Sequence, residues 1–101
     1  MKKQLKISPV VYENLAEIEA YIAADNPTAA AKLVDEILDE IDSLETSYNR
    51  GTDLQNRIQK KTRLKFILVR KYLVIYDIKP DSVDVMLVIH TAMELSGLRL
   101  V

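Results

Sequence analysis

Ile22-Ala23-Ala24-Asp25-Asn26-Pro27-Thr28-Ala29-Ala30 holds a helix stop and a helix start within three residues. Proline pushes the residue before it out of the helical region, and Asn26 in that position can cap a helix that Pro27 begins. Upstream, Val11, Leu15, Ile18 and Ile22 recur at helical spacing, with Ala16, Ala20 and Ala23 adding propensity. Ser8-Pro9 supplies the matching start signal, so a first helix is predicted over 9–24. Downstream, Ala30, Val34, Ile37, Ile41, Leu44 and Tyr48 form a second stripe, widened by Leu33 and Leu38, which predicts a helix over 27–48. The gap is so short that the two helices must pack as an antiparallel hairpin.

Outward from the hairpin the period changes. Leu5-Lys6-Ile7 reads as a short strand before Ser8. Asn49-Arg50-Gly51-Thr52-Asp53 breaks the helical pattern, and from Arg63 onward β-branched residues accumulate at a period of two. Residues 63–69, 72–79 and 83–90 are strand-length segments separated by hairpin-length gaps, the pattern of an antiparallel meander. Arg70-Lys71 lacks the Gly or Asn that a two-residue turn favours, so a longer or bulged connection is expected there. Strict alternation in the last strand would put Val83, Val85, Leu87 and Ile89 on one face and Asp84, Met86, Val88 and His90 on the other. Neither face is fully polar, so both are expected to be partly covered, one by the helices and the other by a partner or second chain. A helical turn is expected within 91–98, before Gly97. The predicted class is α+β, in the order β-α-α-β-β-β, with the helical hairpin packed on an antiparallel sheet.

The 101 residues suffice for one domain, spanning 1–101, and 49% hydrophobic content argues against disorder. Without cysteine there is no disulfide framework and no thiolate metal site. Apolar runs fall far short of the roughly 20 residues that cross a bilayer. Ser8 and Pro9 stand where a signal peptide needs its apolar stretch, so a cytoplasmic protein is expected. The net charge of −1 conceals an asymmetry. Residues 57–71 carry seven cations (Arg57, Lys60, Lys61, Arg63, Lys65, Arg70, Lys71) and no anion, whereas 13–53 carries eleven acidic residues against Lys32 and Arg50.

No common catalytic signature is present: there is one histidine, no cysteine, and no P-loop, GxGxxG or HExxH. The acidic residues read as solvated helix faces, so neither a metal nor a cofactor is expected. The basic stretch admits three roles: a phosphate-binding surface, a dock for an acidic peptide, or an electrostatic complement to the acidic helices. Phe66, Tyr72 and Tyr76 lie near it and suit either nucleic-acid stacking or core filling. His90 reads as a strand-end histidine bonded to backbone, or as an acid or base beside Arg63 and Tyr76. Tyr12 and Tyr21 read as packing residues of the first helix.

Lys6-Ile7-Ser8-Pro9, Asn14-Leu15-Ala16-Glu17-Ile18 and Tyr21-Ile22 before Asp25-Asn26-Pro27 resemble the opening of the RelE/ParE superfamily of type II toxin–antitoxin toxins. Ala30-Ala31, Ile37, Ile41, Leu44 and Arg50-Gly51 are similar to its second helix and exit. Arg63, Tyr72-Leu73-Val74-Ile75-Tyr76 and Val85-Met86-Leu87-Val88-Ile89-His90 are similar to its closing strands. The resemblance implies a growth-inhibiting, plasmid-stabilising toxin held silent by a cognate antitoxin with an acidic amphipathic segment. One branch of the superfamily cleaves mRNA on the ribosome with basic side chains and an acid/base; the other poisons DNA gyrase with no recognised catalytic set. Here Leu73 stands where the nuclease branch has arginine, and Thr91-Ala92-Met93-Glu94 follows His90 without arginine. Cleavage without those charges loses an electrostatic contribution of several kcal/mol.

A ParE-like gyrase inhibitor, not an enzyme, is therefore the first expectation. Lys60, Lys61, Arg63, Lys65, Arg70, Lys71, Tyr72 and Tyr76 are its expected target- or antitoxin-binding residues. The alternatives are a ribosome-dependent ribonuclease with His90 and Arg63 in catalytic roles, or a non-toxic binding module. Self-association through a sheet edge or the helical hairpin is a further expectation.

Overall fold

The computed structural model describes residues 2–58 and 60–92. The chain runs β1 (Gln4–Ile7), α1 (Pro9–Ala23), α2 (Pro27–Ser47), a 3₁₀ turn (Tyr48–Arg50), β2 (Thr52–Asp53), α3 (Gln55–Ile58), β3 (Lys65–Val69), β4 (Tyr72–Ile78) and β5 (Ser82–His90). Both helix starts form as their residues dictate. Val10 N donates to Ser8 Oγ at 3.3 Å, and Ala29 N donates to Asn26 Oδ1 at 3.0 Å. The helical turn expected within 91–98 falls mostly outside the described residues.

The five strands are ordered β1-β5-β4-β3-β2. The predicted antiparallel meander forms from β3, β4 and β5. The sheet is nonetheless mixed, because β1 pairs parallel to β5, with Gln4 opposite Ser82 and Ile7 opposite Val85. β2 adds two residues outside β3, and α3 follows it; elements of two and four residues leave no periodicity to read.

Both faces of the sheet are covered. Val11 and Leu15 of α1 and Ile37, Ile41 and Leu44 of α2 pack on Ile67, Val69, Tyr72, Val74, Tyr76, Val83, Val85 and Val88. On the back face, Leu54, Ile58 and Leu64 meet Phe66, Leu73, Ile75 and Ile89. Two details differ from expectation. Ile75 pairs with Leu87 but Tyr76 with Val85, so Met86 is an extra residue, a β-bulge, and the facing of β5 reverses there. Val83, Val85 and Val88 face the helices while Leu87 and Ile89 face the back, so the alternation does not run unbroken. The β3–β4 connection is also tighter than expected: Val69 pairs directly with Tyr72, and Arg70 takes the left-handed backbone at φ 58°. A two-residue connection between directly paired strand ends demands a positive φ, and the Arg70 side chain helps to hold it. Arg70 forks onto Glu36 of α2 at 3.0 to 3.3 Å, offsetting a conformation that costs an L-residue about 1 kcal/mol.

Tyr76 lies at the centre of the helix-side core, fully buried. Its hydroxyl donates to the Tyr48 carbonyl at 2.7 Å, satisfying a backbone acceptor at the end of α2. Gly51 makes this approach feasible, since a Cβ there would overlap the Tyr76 hydroxyl and lie 3.0 Å from the Phe66 carbonyl oxygen. Gly51→Ala should therefore destabilise the fold by about 1–3 kcal/mol, and Tyr76→Phe by about 1–2 kcal/mol through the orphaned carbonyl. In urea unfolding the double variant should lose less than the two single losses combined, because removing the hydroxyl relieves the clash; strict additivity would contradict the contact. Burial also pushes the Tyr76 hydroxyl pKa up. The unfolded chain gives up that proton near pH 10 while the folded chain keeps it, so stability should fall as pH rises above about 10. Tyr76→Phe should flatten that decline, and an unchanged alkaline profile would count against the assignment.

Candidate functional site

The seven cations of 57–71 do not form one surface. Arg63 Nε and Nη2 fork onto Asp77 at 2.8 to 3.2 Å on the back of the sheet, where Asp77 is buried. Beside them Lys79 meets Asp84 at 2.8 Å. The Asp84 carboxyl is held below the usual carboxylate range, first by the Lys79 bond and further by the Ser82 hydroxyl, against the opposing effect of burial. Lys65 reaches Asp53 at 2.9 Å, and Arg70 reaches Glu36. Arg57 lies over the Phe66 ring, 5.7 Å from its centroid. Lys60, Lys61 and Lys71 are exposed. Three of the seven, Arg63, Lys65 and Arg70, thus pair with acidic residues of the same chain, but only Arg70 meets a helix; Asp77 and Asp53 lie on β4 and β2, so the expected complement to the acidic helices forms at Arg70.

The expected cluster of His90 with Arg63 and Tyr76 does not form. His90 pairs across the sheet with Tyr72, whereas Arg63 is tied to Asp77, five residues and about 16 Å further along β4. Tyr76 is buried and its hydroxyl is committed to Tyr48, so it offers no surface to a partner. His90 takes the backbone-bonded role: its Nδ1 accepts from Ala92 N at 2.9 Å. Its ring meets Tyr72 edge-on, with centroids 5.2 Å apart.

Two clefts meet at this Tyr72–His90 pair. One, of about 540 Å3, lies beside α1 and is lined by Asn14, Glu17, Ile18, Tyr21 and Val88. The other, of about 550 Å3, lies between the α1–α2 turn and the β3–β4 tip, with Ile22, Ala29 and Leu33 as walls and Lys32, Glu36, Arg70 and Lys71 around them. Burial, and secondarily the neighbouring Tyr21, pushes the Tyr72 hydroxyl pKa up. Tyr21 is 82% exposed and Tyr12 54%, so neither is the packing residue that its place near an apolar stripe suggests. Asn14, which carried no site assignment, accepts on Oδ1 from Val88 N at 3.0 Å, occupying a β5 amide beyond the last residue that β1 pairs. Its one sequence signal is a polar side chain among Val11, Leu15 and Ile18. Among the described residues no three His, Asp or Glu side chains converge to hold a metal, and no helix is long and apolar enough to cross a membrane.

The comparisons with known proteins agree with this architecture. Among curated protein sequences none matches significantly. A solved structure described as a chromosomal ParDE TA system from P. aeruginosa superposes with a TM-score of 0.72 over 88% of this chain and 96% of that one. Identity is 15%, so the likeness is one of fold. The model of the family described as "ParE toxin of type II toxin-antitoxin system, parDE" matches residues 5–95, from within β1 to beyond β5. Since that span takes in both long helices and the whole meander, the chain belongs to the ParE toxin family of type II toxin–antitoxin systems.

Proposed function

We propose that this toxin acts in the cytoplasm by binding DNA gyrase rather than by cutting RNA, and that an acidic amphipathic segment of its cognate antitoxin silences it. The observation that carries this reading is the separation of Arg63 from His90. An RNA-cleaving site needs cations and an acid/base converging on one phosphate. Here the two expected catalytic side chains stand at opposite ends of β4, and the guanidinium is forked onto a buried carboxylate. Inhibition by binding makes no such demand. Leu68, 53% exposed on β3, lies two residues along the strand from Phe66 on the same face, with Arg57 over the Phe66 ring, and two residues before Arg70 of the basic hairpin tip. An exposed leucine with basic residues near it suits an acidic amphipathic partner. Self-association of the free toxin belongs to the same reading.

Purified toxin should abolish supercoiling by gyrase, and antitoxin should restore it, while transcripts from induced cells keep their native 5′ ends. Cleaved transcripts with normal supercoiling would establish the ribonuclease instead, and unimpaired growth would leave a non-toxic binding module. Leu68→Glu should weaken antitoxin binding about 10-fold or more without lowering thermal stability; full affinity would remove this face from the antitoxin interface.

A further inference from the structure

We propose that two copies of the free toxin pair about a two-fold axis at the end of the helical hairpin, each placing Tyr21 in the cleft between the α1–α2 turn and the β3–β4 tip of the other. This rests on the self-association just proposed and names its surface.

Tyr21, 82% exposed, is the most exposed large hydrophobic side chain among the described residues, and tyrosine anchors are frequent hot spots of protein interfaces. The cleft offered to it is about 550 Å3, ample for one phenol ring, with apolar walls from Ile22, Ala29 and Leu33 and the Tyr72 and His90 rings beyond. A two-fold contact requires the inserted group and its receptor to share one patch, because each copy must give and receive on the same surface. Tyr21 and Ile22 are adjacent in α1, and the clefts on either side of them meet at Tyr72 and His90.

Charge selects a second copy of this chain. Glu17, one turn before Tyr21, is exposed and makes no ion pair among the described residues. Lys32 and Lys71, at the rim of the receiving cleft, are likewise exposed and without an ion pair there. Both signs therefore occupy one patch, separated by the aromatic anchor. A two-fold axis through the end of α1 brings each Glu17 toward the lysines of the other copy. The sheet edge on this side is less suited to self-pairing, since β2 covers Lys65 and Phe66 and leaves only residues 67–69 of β3 unpaired on their outer side.

Sedimentation equilibrium of the full chain, freed from antitoxin, tests this. A monomer–dimer equilibrium is expected, weakening as salt rises. Tyr21→Ala should raise the dimer dissociation constant about 10-fold or more, while Tyr12→Ala, on the opposite side of α1, should leave it unchanged. Glu17→Lys and Lys71→Glu should each weaken the dimer, and the two combined should recover most of the loss; circular dichroism of each variant checks that the fold is intact. A monomer even at millimolar concentration would overturn self-association altogether. A dimer indifferent to Tyr21 and to the charge exchange would overturn only this surface.

Discussion

The hydrogen bond from the Tyr76 hydroxyl to the Tyr48 carbonyl is the constraint on which the remaining structure depends. It joins the middle of the central meander strand to the point where the long helix ends. The chain must then leave α2 close over β4, and only a residue without a side chain fits at Gly51. From there β2 and α3 are led to the far side of β3, where Leu54 and Ile58 close the second core. A buried phenol so placed belongs to the scaffold, which is why an aromatic residue in the most basic region of the chain does not belong to its surface.

Around that centre, charge acts mainly within the molecule. Arg70 ties the β3–β4 tip to α2 through Glu36, Lys65 ties β3 to Asp53, and Arg63 neutralises a carboxylate that the sheet buries. Exposed pairs such as Arg70–Glu36 contribute little each, of order 0–1 kcal/mol, yet they determine where free charge remains. Lys71 lies three residues beyond the exposed Leu68, and Lys32 lines a cleft with the partly buried Leu33. Cations next to apolar surface are the chemistry of protein recognition rather than of phosphate cleavage.

Local physics was enough to read the hairpin. Asn26 and Pro27 act on the backbone within three residues, and the apolar stripes of both helices are continuous, so both helices begin where their caps place them and end within one residue of expectation. The meander was legible for the same reason, in the change to a two-residue period. The superfamily resemblance also lay in the sequence, in the order of short motifs that no single one of them would establish.

Contacts between distant residues decided the rest. The bulge at Met86 is invisible in a strand that is apolar on both faces, since either phase buries similar surface; the fit of β5 against β4 and the helices selects one. The parallel pairing of β1 depends on where the helical hairpin returns the chain. Seven cations in fifteen residues form a patch in sequence alone, but the acidic partners that dissolve it come from α2, β2 and β4. The exposure of Tyr21 and the separation of His90 from Arg63 are of the same kind. Sequence determined which elements form, because capping and periodicity act over a few residues; tertiary structure alone decided which side chains remain available to a partner, because availability is set by what packs against them.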